Sequence, residues 1–179
     1  MPARNLTAED LPAVEAVQRA CYPAGLREAV RTFRCKIAAF PEGCLGLERD
    51  GRLGGYVFCQ PWTLGLPLPL EDDGRAAFGK ADCLYIHDLS VIPGWRGTGA
   101  ARTLLAEVFG LAADRGFAAL ALVAVQGSEG FWSHWGFRPA HGFLYAPGIP
   151  ATYMVLGGAD RPGAVPSGMC TPGPPNAMG

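Results

Sequence analysis

Apolar positions recur along this chain at two periods. Leu11, Val14, Val17 and Ala20 follow helical spacing, with Thr7 as an N-cap and Asp10 three places on, which predicts a helix over about 8–20. A second helix covers about 27–39 and ends before Pro41, since proline disfavours helical backbone in the residue before it. Strand patterns follow. Residues 2–6 predict a short first strand. Cys44–Glu48 and Leu53–Gln60 flank Asp50-Gly51, a pair suited to a tight hairpin turn. From Pro61 to Asp82 the chain is rich in Pro, Gly and acidic residues and reads as a long loop. Leu84–Ile92 predicts a fourth strand, 99–115 a third helix, and Ala118–Val125 a buried fifth strand. A short helix at about 128–135 precedes two last strands, one from Phe137 onward and one over Thr152–Leu156. A single helix between strands four and five makes a right-handed crossover and favours parallel neighbours. The order is therefore βααβββαβαββ, an α/β domain (α+β in some schemes) with a mixed central sheet, spanning 1–157. Residues 158–179 are dominated by Gly, Pro, Ala and Ser and read as a disordered tail.

One junction stands out. The fourth strand runs through Leu89, Ser90 and Val91 into a Gly-rich turn, Arg96-Gly97-Thr98-Gly99-Ala100-Ala101, which opens directly into the third helix. Such a turn leaves backbone N–H groups unpaired at the positive end of a helix dipole and favours a bound anion, most often phosphate. Gly97 and Gly99 let the backbone approach that anion closely. A P-loop needs a Gly-Lys-Ser/Thr ending, and no Lys follows here. A dinucleotide fingerprint needs Gly at the position of Arg102. The spacing that fits is Arg96-x-x-Gly99-x-Ala101. The same glycines would also serve a plain strand–turn–helix corner.

That hexapeptide, between strand and helix, resembles the acetyl-CoA pyrophosphate loop of the GNAT superfamily of N-acetyltransferases. The resemblance covers about 1–156. It implies the GNAT fold, in which strands four and five splay apart. It further implies that pantetheine lies along strand four near Leu89, Ser90 and Val91, and that the pyrophosphate sits on Arg96, Gly97, Thr98, Gly99, Ala100 and Ala101. A backbone N–H on strand four would polarise the thioester oxygen. Gln126 and Ser128 fall where family members often place a polar residue against CoA, although simple turn polarity explains them equally well.

Ile86-His87-Asp88-Leu89-Ser90-Val91 and the segment 39–53 are similar to the serotonin (arylalkylamine) N-acetyltransferase branch. There the strand carries a histidine matching His87, acting as a base through water, and a second one where Tyr85 stands here. His87 and Tyr85 are therefore the candidate catalytic residues. A half-buried histidine satisfied by a neighbour would give the same sequence signal as a base. Strand alternation puts Tyr85, His87, Leu89 and Val91 on one face, with Asp88 pointing away. Phe131-Trp132-Ser133-His134-Trp135-Gly136-Phe137 resembles the family's Phe-Tyr-x-x-x-Gly-Phe element, with Trp132 replacing the tyrosine that protonates the departing thiolate. An indole N–H only donates and does not ionise, so Trp132 is expected to line the pantetheine channel. Water, Ser133 or Tyr145 remain as proton donors.

The chemistry has two needs, a neutral amine and a polarised thioester. Deprotonating an alkylamine of pKa about 10 at pH 7 costs roughly 4 kcal/mol, which a positioned base helps to overcome. For acceptor selection, Tyr22, Phe33, Phe40 and Trp62 are candidate pocket aromatics. Glu71, Asp72, Asp73 and Asp82 either attract a cationic amine or form a solvated loop.

Composition narrows the partners. In 179 residues, 15 Lys and Arg against 16 Asp and Glu give a net charge of −1 and no basic stripe, which disfavours nucleic acid. The longest apolar run, Phe117–Val125, is too short to span a bilayer, and no secretory pattern is present, so a membrane partner is not expected. The cysteines at 21, 35, 44, 59, 83 and 170 form no Cys-x-x-Cys pair and read as reduced thiols of a cytoplasmic protein. His87, His134 and His141 lack metal-ligand spacing, and no metal is expected. The expected function is acetyl transfer from acetyl-CoA to a small primary amine by direct attack in a ternary complex. A peptide or protein acceptor and a non-catalytic acyl-CoA sensor are the alternatives. The resemblance is compatible with a homodimer.

Overall fold

The hairpin predicted at Asp50-Gly51 forms. Both residues have positive φ, 53° and 71°, as a two-residue turn with the right strand twist requires. It joins β2 (Cys44–Arg49) to β3 (Arg52–Trp62), and β3 is the long strand on which the domain is built. The computed structural model describes residues 2–70 and 81–158. The predicted tail and the acidic residues Glu71, Asp72 and Asp73 lie outside these described residues.

Seven strands form one sheet in the order β1-β2-β3-β4-β5-β7-β6. The remaining strands are β1 (Ala3–Asn5), β4 (Cys83–Val91), β5 (Ala119–Val125), β6 (Arg138–Ala146) and β7 (Ile149–Gly157). The helices are α1 (Leu11–Cys21), α2 (Val30–Ala39), α3 (Ala100–Asp114) and α4 (Glu129–His134). Every pairing is antiparallel except β4 with β5, the pair joined through α3. The domain is thus the mixed α/β sheet in the predicted element order. Helix α1 is entered through a 3₁₀ turn at Ala8–Asp10, where the Asp10 carboxylate accepts the Thr7 backbone N–H at 2.8 Å. Helix α2 starts at Val30 rather than 27, because a separate 3₁₀ turn at Ala24–Leu26 and an extended stretch precede it.

Alternation along β3 divides the core. Val57 and Cys59 join α3 on one face, in a cluster with Leu104, Leu105 and Val108. Tyr56 and Phe58 face α1 and α2, packing with Val14, Val17 and Phe33. The rest of that second face is covered differently. Tyr85, Ala121 and Tyr153 lie under Trp62, Leu64 and Leu68 from the segment after β3. The covering segment is pinned by side chains. The Tyr153 hydroxyl accepts the Gly65 N–H at 2.8 Å, the Tyr85 hydroxyl accepts the Leu68 N–H at 3.2 Å, and the Trp62 indole donates to the Leu66 carbonyl at 2.8 Å.

Candidate active site

Parallel pairing of β4 with β5 is confined to Leu84–Ile86 against Leu120–Leu122. Past Ile86 the two strands separate, so the stretch from His87 to Val91 has no β5 partner on that side. A cleft of about 870 Å³ opens there, with the α3 turn at one end and the α1–α2 connection at the other.

The anion end is built by α3. Gly97 and Gly99 have φ of 77° and 89°, which a residue bearing a Cβ adopts only with strain. Gly99 caps the helix, and the first-turn N–H groups from Ala100 on have no intrahelical acceptor. All six residues Arg96, Gly97, Thr98, Gly99, Ala100 and Ala101 line the cleft. Thr98 braces the turn, its hydroxyl donating to the Trp95 carbonyl at 2.8 Å. Arg96 Nε donates to the Val91 carbonyl at 3.1 Å, which ties the turn to the strand end. Trp95 anchors the whole loop. Its ring lies flat over Gly54 of β3, and the Arg49 guanidinium stands 5.0 Å from the ring centroid.

The middle of the cleft is bounded by Leu89, Ser90 and Val91 from β4, by Val123 and Val125 from β5, and by Gln126 just after it. Gln126 has φ of 56°, an unusual left-handed backbone for a non-glycine residue, and turns the chain out of β5 beside the cleft. Trp132 borders the cleft while packing on Phe131 and Phe137. Tyr145 of β6 lines it as well, as does Ser128; Ser133 does not.

The far end holds the histidine. In the β3–β4 ladder Phe58 opposes Asp88 and Cys59 opposes Ile86, so His87 is an extra residue in a β-bulge. The bulge breaks strict alternation and corrects one expectation. Leu89 and Val91 pack toward α3, whereas Tyr85 packs on the opposite face. Asp88 does lie on the face opposite Leu89 and Val91, beside Phe58 and Tyr56, and it lines the cleft from there. Tyr85 is fully buried with its hydroxyl bonded to the Leu68 N–H, and it is not among the cleft-lining residues. The structure therefore gives Tyr85 a packing role and not the catalytic one expected.

Asp88 collects three hydroxyls: Tyr22 at 2.7 Å, Tyr56 at 2.6 Å and Ser90 at 3.1 Å. Burial pushes its carboxyl up, opposed by the hydrogen bonds from Tyr56 and Tyr22. Burial likewise holds the Tyr22 and Tyr56 phenols well above their ordinary range, with the Asp88 charge adding to it, so both remain donors. Cys21, also at the cleft, directs its thiol to the Val91 carbonyl at 3.4 Å, and burial raises its pKa despite nearby Arg96. It is therefore a poor nucleophile.

Sequence reasoning missed Glu28. Its Oε2 lies 2.7 Å from His87 Nε2, and both side chains are only 3% exposed. Gln18 of α1 fixes Glu28 by its backbone, accepting its N–H at 2.6 Å and donating to its carbonyl at 3.1 Å. A signal existed: Gln18 interrupts the apolar stripe of α1 and is buried beside Val14 and Val17. Of the predicted pocket aromatics, only Tyr22 lines the cleft; Phe33, Phe40 and Trp62 belong to the core clusters. Asp82 accepts the Leu64 N–H at 2.6 Å and braces the loop. Among the described residues no His, Cys, Asp and Glu cluster suits a metal ion, and no helix is long and apolar enough to cross a membrane.

A splayed parallel strand pair with a glycine-capped helix at its mouth defines an acyl-CoA-binding fold of the N-acetyltransferase type. Residues 11–137 match the acetyltransferase (GNAT) family, and the chain belongs to that family. No curated protein sequence matches it significantly. Solved structures share the fold. The GNAT-like decarboxylase GphF, in complex with isobutyryl-CoA, is 18% identical over 88% of this chain and 99% of its own, with a TM-score of 0.72. The loading GNATL domain of CurA from Lyngbya majuscula is 14% identical over 87% and 96%, with a TM-score of 0.73. The ribosomal-protein-alanine N-acetyltransferase from Brucella melitensis is 21% identical over 88% and 99%, with a TM-score of 0.63. The chain is accordingly an N-acetyltransferase by family, with acetyl-CoA as its co-substrate.

Proposed function

We propose that this protein moves an acetyl group from acetyl-CoA to a primary amine of a small molecule, by direct attack in a ternary complex. The observation that carries this reading is the acidic acceptor end of the cleft. Glu28, Asp88 and His87 all line it, and the side chains of Glu28 and His87 are only 3% exposed. Carboxylates gathered at this end suit a compact cationic amine.

In this reading pantetheine lies along Leu89–Val91 as an added strand, and the pyrophosphate rests on the Arg96–Ala101 turn. A β4 backbone N–H polarises the thioester oxygen. His87 takes a proton from the amine. Tyr145, which lines the cleft where Ser133 does not, is the side chain suited to protonate the departing thiolate. The free cysteines at 21, 35, 44, 59 and 83 suit a cytoplasmic setting.

A second reading is prompted by the decarboxylase among the structural neighbours. A carboxylated acyl group would have to approach Glu28 and Asp88, and like charge disfavours it. The test is initial-rate CoA release with arylalkylamines, polyamines, amino acids and short peptides, beside carboxylated acyl-CoA without amine. The proposal requires a small amine to outperform every peptide. Peptide preference, or amine-independent loss of carbon dioxide, would replace it.

A further inference from the structure

His87 carries two ring nitrogens in different situations. Nε2 is 2.7 Å from the Glu28 carboxylate. Nδ1 is buried and has no hydrogen-bond partner among the described residues. A neutral imidazole has one protonated and one unprotonated nitrogen, and its partner selects which. An ionised carboxylate only accepts, so Glu28 draws the proton to Nε2. Nδ1 is then left with a lone pair, in a side chain that lines the cleft.

We infer that Glu28 is a positioning residue that makes Nδ1 of His87 the proton-accepting atom, for an acceptor that arrives as an ammonium ion. The inference rests on the transfer reading above and specifies its atoms.

The placement of Glu28 is built in. Gln18 grips both its backbone groups, so the carboxylate is held by α1 rather than by its own short connection. The bulge supplies the other half. It adds a residue to β4 where pairing with β5 ends, and that residue is His87. Among the described residues, the carboxylates near the imidazole are Glu28 from the α1–α2 connection and Asp88 on its own strand. Tyr22 and Tyr56 stand behind Asp88. Both carboxylates favour the imidazolium that forms during transfer.

The protons balance as follows. An ammonium R–NH₃⁺ gives one proton to Nδ1, and the imidazolium is held by Glu28. The amine nitrogen attacks the thioester carbon, the C–N bond forms and the C–S bond breaks. The departing CoA thiolate takes the second proton and leaves as the thiol. His87 then returns its proton to solvent.

The first test needs no turnover. Long-range ¹H–¹⁵N correlation spectra of the full-length protein at pH 8.5 report the tautomer of each histidine. There are three histidines, and His87→Ala assigns the relevant signals. The expected result is protonated Nε2 with unprotonated Nδ1. Protonated Nδ1, or a doubly protonated ring, overturns the inference. The second test is the pH profile of kcat/KM for Glu28→Gln. Its rate should fall on the order of 10²–10⁴-fold, by analogy with loss of the orienting carboxylate in a Ser-His-Asp triad. Its pH profile should differ from that of wild type, because the charge beside the ring is removed. A Glu28→Gln profile matching wild type, in an enzyme that still requires His87, overturns the role of Glu28 alone. Full activity of His87→Ala removes His87 as the base and overturns the inference, whereas the absence of any amine-dependent turnover in wild type overturns the transfer reading beneath it.

Discussion

Gly54→Ala should weaken acetyl-CoA binding although residue 54 touches none of the cleft. A Cβ at Gly54 would lie 2.5 Å from Cδ2 and Cε3 of Trp95. Ordinary contact begins near 3.4 Å, so the indole must retreat by the difference, about 0.9 Å. Trp95 has little freedom to do so alone. It closes the 3₁₀ turn Pro93–Trp95, and its carbonyl accepts both the Thr98 N–H and the Thr98 hydroxyl. The displacement therefore passes to Arg96–Ala101, where backbone N–H groups are aimed at phosphate. Losing one such charge-assisted bond costs about 1.5–3 kcal/mol, which corresponds to roughly a 10–150-fold rise in KM for acetyl-CoA. Overpacking should also lower stability by about 1–3 kcal/mol. The assay is steady-state kinetics with each substrate varied, beside denaturant unfolding of Gly54→Ala, Trp95→Ala and the double variant. KM for the amine and kcat should change much less than KM for acetyl-CoA. The double variant should unfold more easily than wild type, yet show favourable coupling, since the smaller side chain makes room. An unchanged KM for acetyl-CoA in Gly54→Ala would refute the claim that Trp95 sets the loop.

Other outcomes follow from the same structure. Gly99→Glu, at φ of 89° and with a carboxylate added to the anion site, should abolish measurable acetyl-CoA binding by calorimetry. Tyr85→Phe should leave kcat and both KM values within about twofold, since its hydroxyl serves the Leu68 N–H, and should cost about 1 kcal/mol in denaturant unfolding. Tyr56→Phe should cost about 1–3 kcal/mol, because buried Asp88 loses a donor at 2.6 Å. At the surface, hydrogen bonds from Arg4 hold the Asp10 carboxyl at about 2, below its ordinary 3.8. Its stabilising contribution is thus present above about pH 4 and lost as pH falls toward about 2. Asp10→Asn should remove that part of the acid slope and cost about 0.5–1 kcal/mol near neutrality, a discounted figure because Arg4 is 42% exposed.

The elements were legible because local chemistry decides them. Asp50-Gly51 needs positive φ and takes it; Gly97 and Gly99 do the same at the α3 mouth. The acceptor end was less legible because it depends on one extra residue and one distant contact. Alternation along β4 assumes a regular pleat, and the bulge at His87 puts Tyr85 on the face opposite Leu89 and Val91, where it is committed to the covering segment. Glu28 sits 59 positions from His87, in a connection without periodicity, and nothing local marks it as a partner. The buried Gln18 is the only trace it leaves in the pattern of α1. The aromatic pocket expected from Phe33, Phe40 and Trp62 failed for a plain reason. Large apolar side chains at these positions fill the core on either side of the sheet.

The most direct test of the account is amine-dependent CoA-thiol release from acetyl-CoA, with the N-acetyl product identified by mass. Wild type, His87→Ala and Gly99→Glu would be run side by side. The account predicts turnover with a small primary amine, a strong reduction in His87→Ala, and none in Gly99→Glu. Tight acetyl-CoA binding with no amine acetylated, or turnover that survives in Gly99→Glu, would contradict it.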